Sequence, residues 1–213
     1  DEEENIQLEA ARYLRSRIDQ VEVREAFEQI GDNMGGNTTS PLKQQVQFGL
    51  KRGKLDRPEK SAQSEWEALL EGTGNAERGR RVFYSTTSLC SSCHSMEGMG
   101  GDLGPDLSQV GRSKNRNQLI SSILLPSEEI SPEWQGWYIQ MENGTRYQGR
   151  QIDIGSSQIK LYTQDQVFIT LEQENISDYG LMPASLMPEG LETNLTDQDL
   201  RDLLTYLQLD KNK

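Results

Sequence analysis

Cys90-Ser91-Ser92-Cys93-His94 holds both cysteines and the only histidine of a 213-residue chain, and the reading of the fold works outward from it. Cys-x-x-Cys-His is the attachment signature of a c-type haem. Two thiols at this spacing can each form a thioether with one haem vinyl group, and the next imidazole then stands under the macrocycle as proximal iron ligand. Parts of the pattern serve other chemistries. A thioredoxin-like redox pair sits in a βαβ context, whereas Gly and Ser surround this one. Zinc normally takes four N or S ligands from two clusters, and the chain has no second cluster. A disulfide across two residues is geometrically tight and leaves His94 without a role. Haem uses all three residues; a redox pair and a metal site completed by carboxylates stay open as alternatives.

The chain is acidic, with 34 Asp+Glu against 22 Lys+Arg and a formal charge of −12. That balance argues against nucleic acid as a partner and suits solubility or a basic docking partner. Hydrophobic residues are only 33%, low for one large core. No apolar run reaches the roughly 20 residues of a membrane span. The chain opens at Asp1 in an acidic helical run, which reads as a fragment of a longer polypeptide. Covalent haem attachment takes place outside the cytoplasmic membrane, so the expected location is periplasmic or otherwise extracytoplasmic, with a targeting signal upstream.

Residues 5–30 read as helix: Ile6, Ala10, Leu14, Ile18, Val23, Phe27 and Ile30 recur at three- to five-residue spacings. Gly31-Asp32-Asn33 and Gly35-Gly36-Asn37 end it. A second helical stretch covers about 41–52. After Asp56-Arg57-Pro58, a third carries Trp66, Leu69 and Leu70. Such helix pairs are similar to the end of a HEAT-like α-solenoid, with a helical linker as the alternative for residues 1–71. Helices are also expected from Ala76 to about Thr86, from Asn117 to Leu125, and from a Thr196-Asp197 N-cap to about Leu209.

Residues 134–176 change character. Trp137–Met141 runs into Asn143-Gly144, a strong hairpin turn. Tyr147–Ile154, Gln158–Thr163 and Val167–Leu171 follow as short β-branched or aromatic runs. They predict an antiparallel meander of four or five strands that interrupts the helical domain of residues 72–133 and 177–213.

His94 is the sole imidazole, so a sixth iron ligand must be something else. Met34, Met96, Met99, Met141, Met182 and Met187 compete. Met96 and Met99 are too close to His94 in sequence to reach the far haem face easily, Met141 belongs to the strands, and Met34 to the N-terminal segment. Met182-Pro183 and Met187-Pro188 remain, both in the loop before the last helix. Proline biases the residue before it towards an extended backbone; an ordinary packing role suits either methionine equally. Arg112, Lys114 and Arg116 form a basic cluster that either neutralises haem propionates or is a solvated loop. Trp134 and Trp137 either cover the haem edge or fill the β insert.

In order along the chain come Gly79-Arg80-Arg81-Val82-Phe83, Cys90–His94, Gly104-Pro105-Asp106-Leu107-Ser108, Ser121–Ser127, Ser185-Leu186-Met187-Pro188-Glu189-Gly190-Leu191 and Asp202–Leu207. With these motifs, residues 76–209 closely resemble the haem-binding c-type cytochrome domain of planctomycetes and verrucomicrobia. The resemblance implies a mainly α fold: a class I cytochrome c helical core with a small inserted antiparallel β subdomain. It implies Met187 rather than Met182 as distal ligand, and Pro105 as the residue whose carbonyl holds the second nitrogen of His94. It also implies one covalent haem c and a dehydrogenase domain or redox protein as partner.

One-electron transfer through a His/Met-ligated haem is therefore the expected function, with no catalysis by this chain alone. Haem enzymology or gas sensing would need a labile sixth position. A third reading makes the insert, whose hairpin order is similar to small SH3-like or Sm-like barrels, an interaction module. Its plainer role is capping the crevice or joining two chains into a homodimer by an edge strand.

Overall fold

The computed structural model describes residues 2–34, 40–50 and 57–209. The single helix predicted over 5–30 is two, α1 (Glu2–Arg15) and α2 (Val21–Asn33), separated by a turn over residues 16–20. Helix α3 (Pro41–Gly49) starts at Ser40, whose hydroxyl accepts from the Lys43 amide, with Pro41 pre-set for the first turn. Ala11, Phe27 and Val46 bury against one another and hold these three helices together. The predicted break at Gly35-Gly36-Asn37, and Asp56 of the predicted turn, lie outside the described residues.

Helix α4 (Gln63–Leu69) is followed by α5 (Ala76–Phe83), the single turns α6 (Cys90–Cys93) and α7 (Val110–Ser113), then α8 (Arg116–Leu124) and α9 (Asp197–Leu207). Two of these starts are written locally. Asn115 and Gln118 form a reciprocal capping box on α8, as Thr196 and Asp199 do on α9. Helices α5 and α9 cross so closely at Gly79 that a Cβ there would run into the Asp202 carbonyl and Tyr206. Phe83 and Tyr206 meet at the same crossing with ring centroids 6.0 Å apart. Trp66, Val82, Phe83, Ile120, Leu203 and Leu204 belong to the resulting core. Burying each contributes about 1.5–3 kcal/mol before entropy is counted.

A buried polar cluster ties the N-terminal helices to that core. Arg12 of α1 meets Asp199 of α9 at 2.8 Å, and Gln45 of α3 donates to both Asp199 oxygens at 2.8 Å. Arg15 adds a bond to the Asn194 carbonyl. Trp66, inside the stretch expected to be a solenoid end or linker, sits in the same core cluster as Leu203.

The expectation of a mainly α fold, a class I cytochrome c core with a small β insert, is overturned. The architecture is mixed, 45% helical and 18% strand, with a five-stranded antiparallel sheet. Its strands are β1 (Gly136–Met141), β2 (Arg146–Ile154), β3 (Gln158–Thr163), β4 (Phe168–Glu172) and β5 (Ile176–Leu181). Four strands form a meander, and after a 3-10 turn at Gln173–Asn175 the fifth returns to pair with the first, giving the order β4-β3-β2-β1-β5. Strand β5 starts at the predicted last residue of the insert, Ile176, and runs past it to Leu181. Ser177, Asp178 and Gly180 weaken its local strand signal, but pairing decides otherwise: Tyr179 lies opposite Ile139, Leu181 opposite Trp137, and the Trp137 and Tyr179 rings stack at 6.3 Å. Ile139, Ile159 and Leu161 give this sheet a buried cluster of its own.

The sheet's other face turns to the Gly-rich loop after His94 and to the segment that holds Met182 and Leu186. Gly136, Arg150 and Tyr162 form one cross-strand row on that face. Tyr162 packs with Leu103 and Leu186, and a Cβ on Gly136 would press on Leu186 and Met182.

Candidate functional site

Leu89, in the left-handed region at φ 60°, leads into the single turn α6, which carries both cysteines; they are free thiols. The chain then straightens at His94, whose amide donates to the Cys90 carbonyl at 2.9 Å. The Gly-rich loop wraps this turn tightly. Gly101 N donates to Ser91 O at 2.9 Å and Gly104 N to Cys93 O at 2.8 Å. A Cβ on Gly104 would stand 2.6 Å from Cε1 of His94, so only glycine leaves the ring its place.

The His94 ring is oriented from the same loop: Nδ1 donates to the Pro105 carbonyl at 2.9 Å. A carbonyl only accepts, so the proton is on Nδ1 and Nε2 keeps its lone pair. Burial depresses the His94 pKa despite the favourable carbonyl, which holds the imidazole neutral. Burial pushes the Cys90 thiol pKa up. Neutral imidazole and protonated thiol are what an apolar wall imposes.

That wall belongs to a cavity of about 530 Å³. Cys90, Cys93, His94, Pro105 and Met187, separated by up to 97 positions in sequence, all line it. Met182 is not among the lining residues; it packs beside Leu186, Leu103 and Tyr162 under the sheet. Phe83, Leu103, Leu107, Leu119, Leu203 and Leu207 supply apolar surface. The volume lies within the roughly 300–1,000 Å³ range of cofactor pockets.

The basic cluster divides. Lys114 lines the cavity and pairs with Glu129, another lining residue, at 3.2 Å. Arg116 turns away to the Leu70 carbonyl and Gln208, and Arg112 is not a lining residue. Trp134 lines the cavity beneath the Arg150 guanidinium, 5.0 Å from its ring centroid, whereas Trp137 belongs to the sheet cluster. Sequence reasoning missed Glu129, Gln118, Ser122 and Ser131 in the wall. Their local signals concern other roles, such as the Gln118 capping box, and only the fold turns them to the cavity.

The donor set fits a c-type haem. Two free thiols, one neutral imidazole with a free Nε2 and one thioether share an apolar cavity of cofactor size, and Gly104 clears the space at the ring. Among the described residues no three His, Cys, Asp or Glu side chains come together as a metal-binding group. No described helix is long and apolar enough to cross a membrane. No family model matches the chain, and no curated protein matches it in sequence.

Proposed function

We propose that this chain is a monohaem c-type electron carrier, in which Cys90 and Cys93 would hold haem c covalently and His94 and Met187 would bind its iron. The carrying observation is that one apolar cavity is lined by both thiols, the only imidazole and Met187. When bound, the haem supplies reversible one-electron chemistry at iron, and a His/Met ligand pair in an apolar pocket raises its potential. The protein's residues do the rest. Pro105 holds His94 in one tautomer and orientation. Phe83, Leu103, Leu119 and Leu203 exclude water from the centre. Lys114 brings one positive charge to the wall, offset by Glu129.

The ordered motifs that resemble the planctomycete-type haem-binding domain support the same reading. The partner would be a dehydrogenase domain or another redox protein in an extracytoplasmic compartment, and catalysis would lie with that partner. Production in a host with haem-attachment machinery tests the reading. The denatured chain should carry the mass of one haem and give a c-type spectrum, and a Cys90→Ser/Cys93→Ser variant should lose both. A parent chain with two free thiols and no haem mass from such a host overturns it.

A further inference from the structure

The hairpin tip between β3 and β4 reaches two separate segments that each carry cavity-lining residues. Gln164 Nε2 donates to the Leu186 carbonyl at 3.2 Å, beside Met187. Two residues on, Gln166 Nε2 donates to the Ser92 carbonyl at 2.6 Å, inside the Cys90–Cys93 turn. Neither tie is local: they span 22 and 74 positions in sequence. Gln166 holds a left-handed φ of 59°, a conformation that a non-glycine residue keeps only where its surroundings enforce it. Below the tip, Tyr162 packs between Leu103 and Leu186, with Cys93 against the same cluster. At the sheet's other end Gln135 Nε2 donates to Met182 O at 2.6 Å, and Met182 N donates to Gly136 O at 2.8 Å.

We propose that the Gln164–Gln166 tip is a staple joining the methionine loop to the Cys-x-x-Cys turn, and that Gln164 and Gln166 are positioning residues for Met187. The sheet then has a defined task at the site. Without the staple, the Met187 segment keeps the bonds from Ser185 N to Ser127 Oγ and from Met187 N to Ser185 Oγ and the packing of Leu186 with Leu103, but loses its hydrogen-bonded link through the tip to the Cys90–Cys93 turn. This inference rests on the reading of Met187 as a residue that would bind the haem iron. Its structural half, loop fixation, is measurable separately.

The test compares the parent, Gln164→Ala/Gln166→Ala, and Gln164→Glu, which keeps the side-chain shape but replaces the donor amide with a carboxylate. Gln173→Ala is the control, since it removes a similar glutamine bond, to Gly155 O, elsewhere on the sheet. In the haem-loaded protein, both tip variants should retain covalent haem. They should bind CO in the reduced state at least tenfold faster than the parent, with a weakened methionine-to-iron band when oxidised. Amide exchange at Leu186 and Met187 should speed up at least tenfold. Gln173→Ala should change none of these. Parental CO binding and parental exchange in both tip variants overturn the staple. Faster exchange with unchanged ligand binding overturns the positioning of Met187 while leaving a structural tie. If the parent carries no haem, the proposed function fails instead, and exchange in the chain as purified still decides loop fixation.

Discussion

Nδ1 of His94 donates to the carbonyl oxygen of Pro105 at 2.9 Å, and the glycine immediately before that proline leaves no room for a side chain beside the ring. Ring orientation, tautomer and the free Nε2 are thus set by two consecutive residues of one loop. Gly104→Ala would place a Cβ 2.6 Å from Cε1 of His94, so ring or loop must move. The expected result is a loss of about 1–3 kcal/mol in stability, typical of overpacking. Urea unfolding of the haem-loaded protein and its midpoint potential check this; a shift in neither means the loop yields without disturbing His94.

The two loop methionines should separate cleanly. Met187 lines the cavity, while Met182 packs beneath the sheet. Met187→Ala should keep covalent haem but lose the methionine-to-iron band and lower the potential. Met182→Ala should keep the band and lose about 2 kcal/mol of stability, the low end for a methionine truncation because the side chain is only partly buried. Spectra and denaturant titrations of both variants decide, and reversed phenotypes would reverse the assignment.

Asp199 links acid stability to the N-terminal helices. Burial alone would raise its pKa, but Arg12, Arg15 and the Gln45 amide together hold it below the usual carboxylate value. A depressed folded pKa means the contribution is fully present above the unfolded value of about 3.9 and is lost as pH falls through the folded pKa. Stability should therefore drop below about pH 4. Asp199→Asn should flatten that acid limb and cost about 3 kcal/mol at neutral pH, because Arg15 is left buried without a carboxylate while Arg12 keeps only Glu9. Urea midpoints from pH 7 to 3 give both numbers.

Gly79→Ala tests the helix crossing. The new methyl would strike the Asp202 backbone rather than a movable side-chain end. A loss of about 3 kcal/mol, the upper end for overpacking, is expected in thermal or urea unfolding. A loss below about 1 kcal/mol would mean the helices separate freely.

The Cys90–His94 pentapeptide is legible as a candidate site because its chemistry is local: two thiols and an imidazole within five residues need no tertiary partner to be recognised. The starts of α8 and α9 are legible for the same reason, since Asn115/Gln118 and Thr196/Asp199 satisfy backbone groups within one turn. The Asn143-Gly144 turn is equally local, with Gly144 at φ 87°. The break between α1 and α2 was hidden because Leu14, Ile18 and Val23 keep apolar residues recurring across it.

Sequence alone showed two thiols and the sole imidazole together at Cys90–His94, two Met-Pro pairs at Met182 and Met187 before the last helix, and a β meander between helical segments. Tertiary structure alone decided that Met187 lines the cavity and Met182 does not, that Ile176–Leu181 becomes a fifth strand, and that Gln164 and Gln166 tie opposite ends of the site together. The division has one physical cause. Propensity, capping and covalent spacing act within a few residues and are written in a short window. Burial, cross-strand register and long-range hydrogen bonds depend on which distant segment arrives alongside, and no window of sequence contains that neighbour.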